Sequence, residues 1–352
     1  MQTRRAKSKD VAALAGVSPT TVSFVLNERA DANISAETRQ RVRAAAEQLG
    51  YHPHSAARGL AGGRSHTLGL VLRQSPEQVA EDALLAETLR GLSAAARAAR
   101  YRVLVEPLGE SDGTYADLLR SRGTDGLVVS GPRVDDAELG ALVRDGAPVV
   151  IQGSLPGVDL PSVDVDNVAA ARAATTHLVD LGHRVIGCIT NASFRYTSAR
   201  ERRDGYAAAL RDAGIPVDDE LVVEASFHAA SGRSAMRRLL ARDDLTAVFV
   251  ASDVVAFGAM AAIREARLRI PEDISVAGFD DIPLSAYFDP PLTTVHVPAH
   301  ELGRAAGMAL LDRINGRPVE TRTVLPTELI VRSSSAPPSP ARRRSRDGPA
   351  SG

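Results

Sequence analysis

The sequence predicts two architectures in one chain: an all-α N-terminal head containing a helix-turn-helix, and an α/β body whose parallel sheets form two lobes. Three observations predict this. The first sixty residues have helical periodicity with tight punctuation. From Thr67 onward, short apolar runs alternate with longer helical stretches, the pattern of parallel sheets covered by helices. That alternation divides near residues 162–166 into two halves of similar rhythm.

In the head, residues 9–15 place apolar Val11 and Leu14 on one helical face, and Gly16 stands where a left-handed residue ends a helix. Ser18 is a good N-cap and Pro19 fits the first helical position, where its missing N–H costs nothing. The second helix then runs 19–27, with Val22, Val25 and Leu26 inward. A turn as short as Gly16-Val17 makes two helices cross steeply, which is a helix-turn-helix. A third helix follows the N-cap Ser35, runs 36–49 to Gly50, and buries Val42, Ala46 and Leu49. A generic three-helix bundle fits the same pattern. The outer side of the second helix argues for more: Thr20, Thr21, Ser23 and Asn27 are short hydrogen-bonding groups suited to phosphates and base edges. Arg39, Arg41 and Arg43 add positive charge, although such a run is commonly a solvated face.

Residues 51–64 read YHPHSAARGLAGGR. Pro53 breaks the preceding helix and Gly62-Gly63 gives a pliant exit. The stretch 54–60 allows barely two helical turns, with Gly59 costing about 1 kcal/mol against alanine. Such a helix is marginal in water, so the residues alone favour an ordinary linker.

In the body the expected strands are 67–72, 102–106, 126–130, 148–151, 185–189, 221–224, 247–251 and 275–278. The expected helices include 81–99, 167–181, 199–213, 253–266 and 301–315, with Gly182, Gly214 and Gly316 as stops. Open α/β sheets bind ligands beyond the carboxyl ends of their strands, so two facing sheets create a cleft. Asp280 follows the apolar run SVAGF, and Ser252-Asp253 follows AVFVA. Each is equally readable as a cap or turn residue, and Arg202 in SARERRDGY as a surface charge.

Composition removes several classes. The formal charge is −1 over 352 residues, with 44% hydrophobic, but that total hides a partition. Residues 1–64 carry 10 Lys and Arg against 5 Asp and Glu, residues 333–352 carry 4 against 1, and the body carries 28 against 37. The single cysteine, Cys188, excludes a disulfide framework or CxxC zinc site and suits a reducing cytosol. No apolar run approaches the roughly 18 residues of a membrane helix, and no signal-peptide h-region follows the basic N-terminus. The expected location is therefore the cytoplasm, with no membrane partner. GxSxG, HExxH, P-loop and strand-borne GxGxxG motifs are missing, so no enzyme, cofactor or metal is expected. His183 and Cys188 read as structural, and the proline- and serine-rich stretch 333–352 as a disordered tail without a coiled coil.

The strings KDVAALAGVSPTTVSFVLN, SAETRQRV, LGYHPHSAARGL and HTLGLVL, in that order, resemble the LacI/GalR family of bacterial transcriptional regulators, and the likeness extends over residues 9–331. The resemblance implies a DNA-binding domain (1–51), a hinge (52–64) and an effector-binding and dimerisation domain (65–332) built like type I periplasmic binding proteins. Lobe 1 would hold residues 65–165 and 298–325, and lobe 2 residues 166–297 and 326–332. Residues 81–99 would contribute to the dimer. It further implies DNA contacts by Ser18, Pro19, Thr20, Thr21, Ser23, Phe24 and Asn27, and by Ala57 and Leu60 of the hinge. The hinge helices of two subunits would pair in the minor groove, with Leu60 as the wedge. A small-molecule effector, with a carbohydrate as the leading expectation, would contact Gln74, Gln152, Tyr196, Ser198, Arg202, Phe227, Ser252 and Asp280. The implied function is a repressor that binds a pseudo-palindromic duplex operator as a homodimer and is controlled by that effector. A solute-binding protein of a transport system is the alternative. Several departures stand out: Phe24 replaces a base-reading arginine, and the loop 28–34 is about two residues longer than usual. Ser252 replaces a common asparagine, and Gln152 a common aspartate.

Overall fold

The computed structural model describes residues 6–26, 33–51, 64–109, 114–121 and 123–339. The chain divides into two compact units near His66–Thr67.

The first unit contains α1 (Ser8–Ala15), α2 (Pro19–Leu26) and α3 (Ala36–Gln48). Gly16 ends α1 in the left-handed region at φ 63°, as its position predicts. The Ser18 hydroxyl accepts the Thr21 amide at 3.1 Å, and Ser35 caps α3 through the Thr38 amide at 3.2 Å. Each cap contributes about 1 kcal/mol. The core is small: Val11, Ala12, Ala15, Val22, Val25, Val42, Ala45 and Ala46. Leu14 and Leu49, which the periodicity turns inward, lie 49% and 37% exposed. Alanines 12, 15 and 45 take the inner positions, because helices this short pack closely only through small side chains.

The second unit has two parallel sheets. The first runs in the order β11-β5-β4-β3-β1-β2, with β1 Thr67–Leu72, β2 Arg102–Pro107, β3 Gly126–Ser130, β4 Val149–Gln152, β5 Ser162–Val165 and β11 Arg322–Leu325. The second runs β7-β6-β8-β9, with β6 Ile186–Ile189, β7 Val222–Val223, β8 Ala247–Val250 and β9 Ser275–Ala277. A short antiparallel pair, β10 (Thr294–His296) with β12 (Glu328–Ile330), lies between them in the chain path. The chain therefore crosses between lobes after β5, after β10 and after β11. The apolar runs foretell β1 to β4 and β6 to β9; β5, β10, β11 and β12 are short and mixed in polarity, so no period marks them.

Helices cover both sheets: α4 (Pro76–Glu81), α5 (Leu85–Ala98), α6 (Tyr115–Arg120), α7 (Ala137–Arg144), α8 (Asn167–Asp180), α9 (Thr197–Asp212), α10 (Ala229–Leu239), α11 (Asp253–Glu265) and α12 (Ala299–Ile314). The helix expected over 81–99 begins later, at Leu85, and an unforeseen short helix, α4, precedes it, the two separated at Asp82. The pairs α5–α12, α8–α9 and α10–α11 each close on glycine. A Cβ on Gly91 would stand 1.9 Å from the His300 carbonyl, one on Gly205 2.3 Å from that of Val168, and one on Gly258 1.7 Å from that of Ala229.

The tail begins later than the sequence predicts. Ser334 is fully buried, donating to the Val276 carbonyl at 2.7 Å and accepting the Thr293 amide at 2.8 Å. The Ala336 carbonyl meets both Ser275 Oγ and His183 Nε2 at 2.9 Å. Residues 333–336 thus extend the second lobe as an irregular strap, held by side-chain-to-backbone bonds that their composition does not advertise.

Candidate effector cleft

The cleft is built on the carboxyl ends of the strands. Ser130 ends β3, Gln152 ends β4, Asn191 stands two residues beyond β6, and Ser252 two beyond β8; all line one cavity between the lobes. Gln74, Ser198, Arg202, Phe227 and Asp280 line it too. Seven of the eight expected effector residues therefore converge on one space, and Tyr196 does not.

Arg202 is held from three sides. Gly205, one turn further along α9, lets that helix approach α8, so that Asn167 at the start of α8 accepts Arg202 Nε at 2.9 Å. Nη1 donates to the Ala251 carbonyl at 2.7 Å and lies 3.4 Å from Asp280 Oδ1, while the guanidinium stacks 3.9 Å from the Phe279 ring centroid. Asp280 has φ 119°, a strained conformation for a residue with a Cβ. Its backbone is fixed on both sides, the amide donating to the Val295 carbonyl at 2.9 Å and the carbonyl accepting the Val297 amide at 3.2 Å. Burial holds the Asp280 carboxyl above the ordinary carboxylate range even though Arg202 and Ser252 favour its ionised form.

The two aspartates read as possible caps have separate roles. Asp253 is fully buried and saturated: Oδ1 accepts Thr294 Oγ1 at 2.6 Å, and Oδ2 accepts Ser285 Oγ at 2.5 Å and the Ile282 amide at 3.1 Å. It pins the loop after β9. Asp281 faces away, tied to Arg332 at 2.6 Å and His296 at 3.0 Å. Ser252 precedes α11 without capping it through its side chain.

Tyr196 departs from its expected role. Its hydroxyl donates to the Arg73 carbonyl of the first lobe, and its ring meets Phe227 edge-on at 4.9 Å in an adjoining cavity. It is a latch between lobes. Gln78 adds to that latch by donating to Ser226 Oγ at 2.9 Å, and Val134 by donating to the Arg195 carbonyl at 2.8 Å.

Four cleft residues escape the sequence reading. Asp82 is half-buried at the break between α4 and α5, where its Oδ1 accepts the Leu84 and Leu85 amides at 3.0 and 3.2 Å and its Oδ2 accepts Gln74 Nε2 at 3.4 Å. Burial raises its carboxyl above the usual range. Asp164, on β5, accepts the Val165 amide at 2.8 Å and Asn167 Nδ2 at 3.2 Å. Burial, with the charge of Glu201 beside it, pushes it up to about 7. Asn167 joins Asp164, Glu201 and Arg202 into one network. Asn191 donates to Ser198 Oγ at 3.2 Å. Position just past a strand end could have flagged Asn191; nothing in the local pattern flags Asp82. Three amide oxygens, Gln74 Oε1, Gln152 Oε1 and Asn191 Oδ1, are buried with no hydrogen-bond partner among the described residues.

In the head, Ser18, Pro19 and Thr20 are exposed, while Thr21, Ser23 and Phe24 are half-buried along α2. Asn27, Ala57 and Leu60 lie outside the described residues.

A helix-turn-helix head followed by a two-lobed α/β body with a polar, ligand-sized cleft defines a ligand-responsive DNA-binding regulator. Residues 8–54 match the family model of bacterial regulatory proteins, lacI family, and residues 175–335 that of a periplasmic binding protein-like domain. The HTH-type transcriptional repressor CytR of Escherichia coli K12 is 36% identical over 344 residues, covering 95% of this chain and 97% of its own. The HTH-type transcriptional regulator CelR of Thermobifida fusca is 35% identical over 94% of this chain and 98% of its own. The solved lac repressor dimer bound to operator and the anti-inducer ONPF superposes with a TM-score of 0.81 at 29% identity, over 95% of this chain and all of that one. A CelR–cellobiose complex gives 0.70 at 33% identity, over 94% and all. The chain belongs to the lacI family of bacterial transcriptional regulators.

Proposed function

We propose that this regulator is a repressor: it binds a pseudo-palindromic operator as a homodimer and is released when a small donor-rich molecule, of the carbohydrate class, fills the cleft. The observation that carries this reading is that three cleft-lining residues, Gln74, Gln152 and Asn191, each hold a buried amide oxygen with no partner among the described residues. An unmet buried acceptor costs about 1–3 kcal/mol, which hydroxyl donors of a ligand would recover. Relatives recorded with cellobiose and with the anti-inducer ONPF support the ligand class. The DNA contacts are assigned to Ser18, Pro19, Thr20, Thr21, Ser23, Phe24 and Asn27, with Ala57 and Leu60 in the hinge. Phe24 offers only apolar contact, such as to a thymine methyl. Since α5 spends its glycine face on α12, a subunit contact through that helix would use its outer face.

The test is fluorescence anisotropy with duplexes from upstream of the protein's own gene at two salt concentrations, with and without a sugar panel. A specific complex that weakens steeply with salt and dissociates with one sugar is expected. No specific complex at either salt would sink the reading. Reciprocity requires the operator to weaken the same sugar by an equal factor.

A further inference from the structure

The cleft is lined by four carboxylates, Glu81, Asp82, Asp164 and Asp280, against one guanidinium, that of Arg202. Arg202 answers Asp280 at 3.4 Å. No ion pair is formed by Asp82 or Asp164 among the described residues, although both are half-buried. Asp82 stands close enough to Asp280, on the opposite lobe, for its charge to oppose ionisation there. A buried carboxylate without a cation is costly, and proteins answer it with a partner or a proton. Gln74 supplies the second observation. It is 9% exposed, donates its amide N–H to Asp82, and leaves Oε1 without a partner in the cavity. Asp82 and Gln74 thus present adjacent acceptors beside an unmet negative charge, where an ammonium with three N–H donors would answer both.

Resting on the carbohydrate reading above, we propose that the effector carries a protonated amine, as an amino sugar does, seated against Asp82 and Gln74 between the lobes. Hydroxyls of the same molecule meet Gln152 and Asn191. A phosphorylated or carboxylated sugar is refused, because it adds negative charge to a space that already lacks cations.

Titration calorimetry of the full chain with glucose, glucosamine and glucuronate, and with galactose, galactosamine and galacturonate, tests this. An amino sugar is expected to bind about tenfold or more tightly than its neutral parent, with no heat from either uronate. Asp82→Asn should erase most of that preference. A neutral parent binding as well as its amine, or a uronate binding at all, overturns the inference. If none of the six binds, the ligand-free melting temperature decides: Asp82→Asn and Asp164→Asn both melt above wild type if the charge is unanswered, and both at or below it overturn the proposal. A neutral sugar that binds and releases operator would leave the repressor reading standing while this inference falls. An amine preference without operator release would do the reverse.

Discussion

The two walls of the cleft are built on opposite principles. The lobe 2 wall is nearly finished: Arg202 is bonded to Asn167 and Ala251, stacked on Phe279 and set against Asp280, whose own backbone is clamped at both ends, and among its described cleft side chains Asn191 Oδ1 alone is a buried atom without a partner. The lobe 1 wall is unfinished: among the described residues Gln74 and Gln152 each hold a buried amide oxygen with no donor, and Asp82 and Asp164 hold half-buried carboxyls with no cation. A finished wall fixes where a ligand sits. An unfinished wall gains hydrogen bonds and charge neutralisation only when the ligand is present, so it supplies a free-energy difference between empty and filled states. Only such a difference lets a ligand shift a conformational equilibrium.

Removing the anchor of the finished wall is expected to have the largest effect. Arg202→Ala leaves Asp280 and the Asn167 and Ala251 oxygens without their donor, and should cost about 3 kcal/mol of stability in denaturant melts together with effector binding. Stability within about 0.5 kcal/mol of wild type would show that the wall is less interlocked than described.

Buried carboxyls on both walls, Asp164 on one and Asp253 and Asp280 on the other, set a pH dependence opposite in sense to that of a carboxylate held below its ordinary range. Because Asp164 titrates at about 7 in the folded chain, above its ordinary value of 3.8, the native state holds the proton longer than the unfolded state. Its contribution to stability is complete below the ordinary carboxylate value and is lost as pH rises to about 7. Ligand-free protein should lose up to about 4 kcal/mol through Asp164 over that window, and Asp164→Asn should remove that share of the slope. An unchanged slope in that variant would assign the dependence elsewhere.

A smaller effect separates the walls most cleanly. Gln152→Ala should not lower the melting temperature of the empty protein, since it removes a buried oxygen that bonds nothing there, yet should weaken the effector about fivefold, near 1 kcal/mol. A stability loss without an affinity loss would move Gln152 from the ligand to the frame. The smallest change belongs to the latch. Tyr196→Phe deletes one inter-lobe hydrogen bond and should weaken effector binding about threefold, some 0.7 kcal/mol, by favouring the open lobes. A much larger loss would return Tyr196 to the ligand.

Much of this was legible from residues alone where the physics is local. Gly16 and Ser18 set the helix-turn-helix because a left-handed stop and a side-chain cap act within a few residues. The long strands announced themselves because a strand buried on both faces must be continuously apolar. Strand ends marked Ser252 and Asp280 as candidates, while Gln152 entered only through the family resemblance. Inward faces of short helices were less certain: Leu14 and Leu49 turned outward once alanines proved the closer fit.

What only the tertiary structure decided are the roles that depend on distant partners. Asp253 and Asp280 both follow apolar strands, yet one is saturated by Ser285, Thr294 and Ile282 and the other faces the cleft. Tyr196 became a latch because the Arg73 carbonyl lies within reach across 123 residues of chain. Asp82, Asp164 and the strap at 333–336 carry no local signature, since burial and the lack or presence of a counter-group are properties of the folded surroundings. The sequence by itself determined the elements and the class, because periodicity and capping are written within a turn or two. The chemistry of the cleft was settled by the fold, because pairing a buried charge or acceptor depends on what stands opposite it in space.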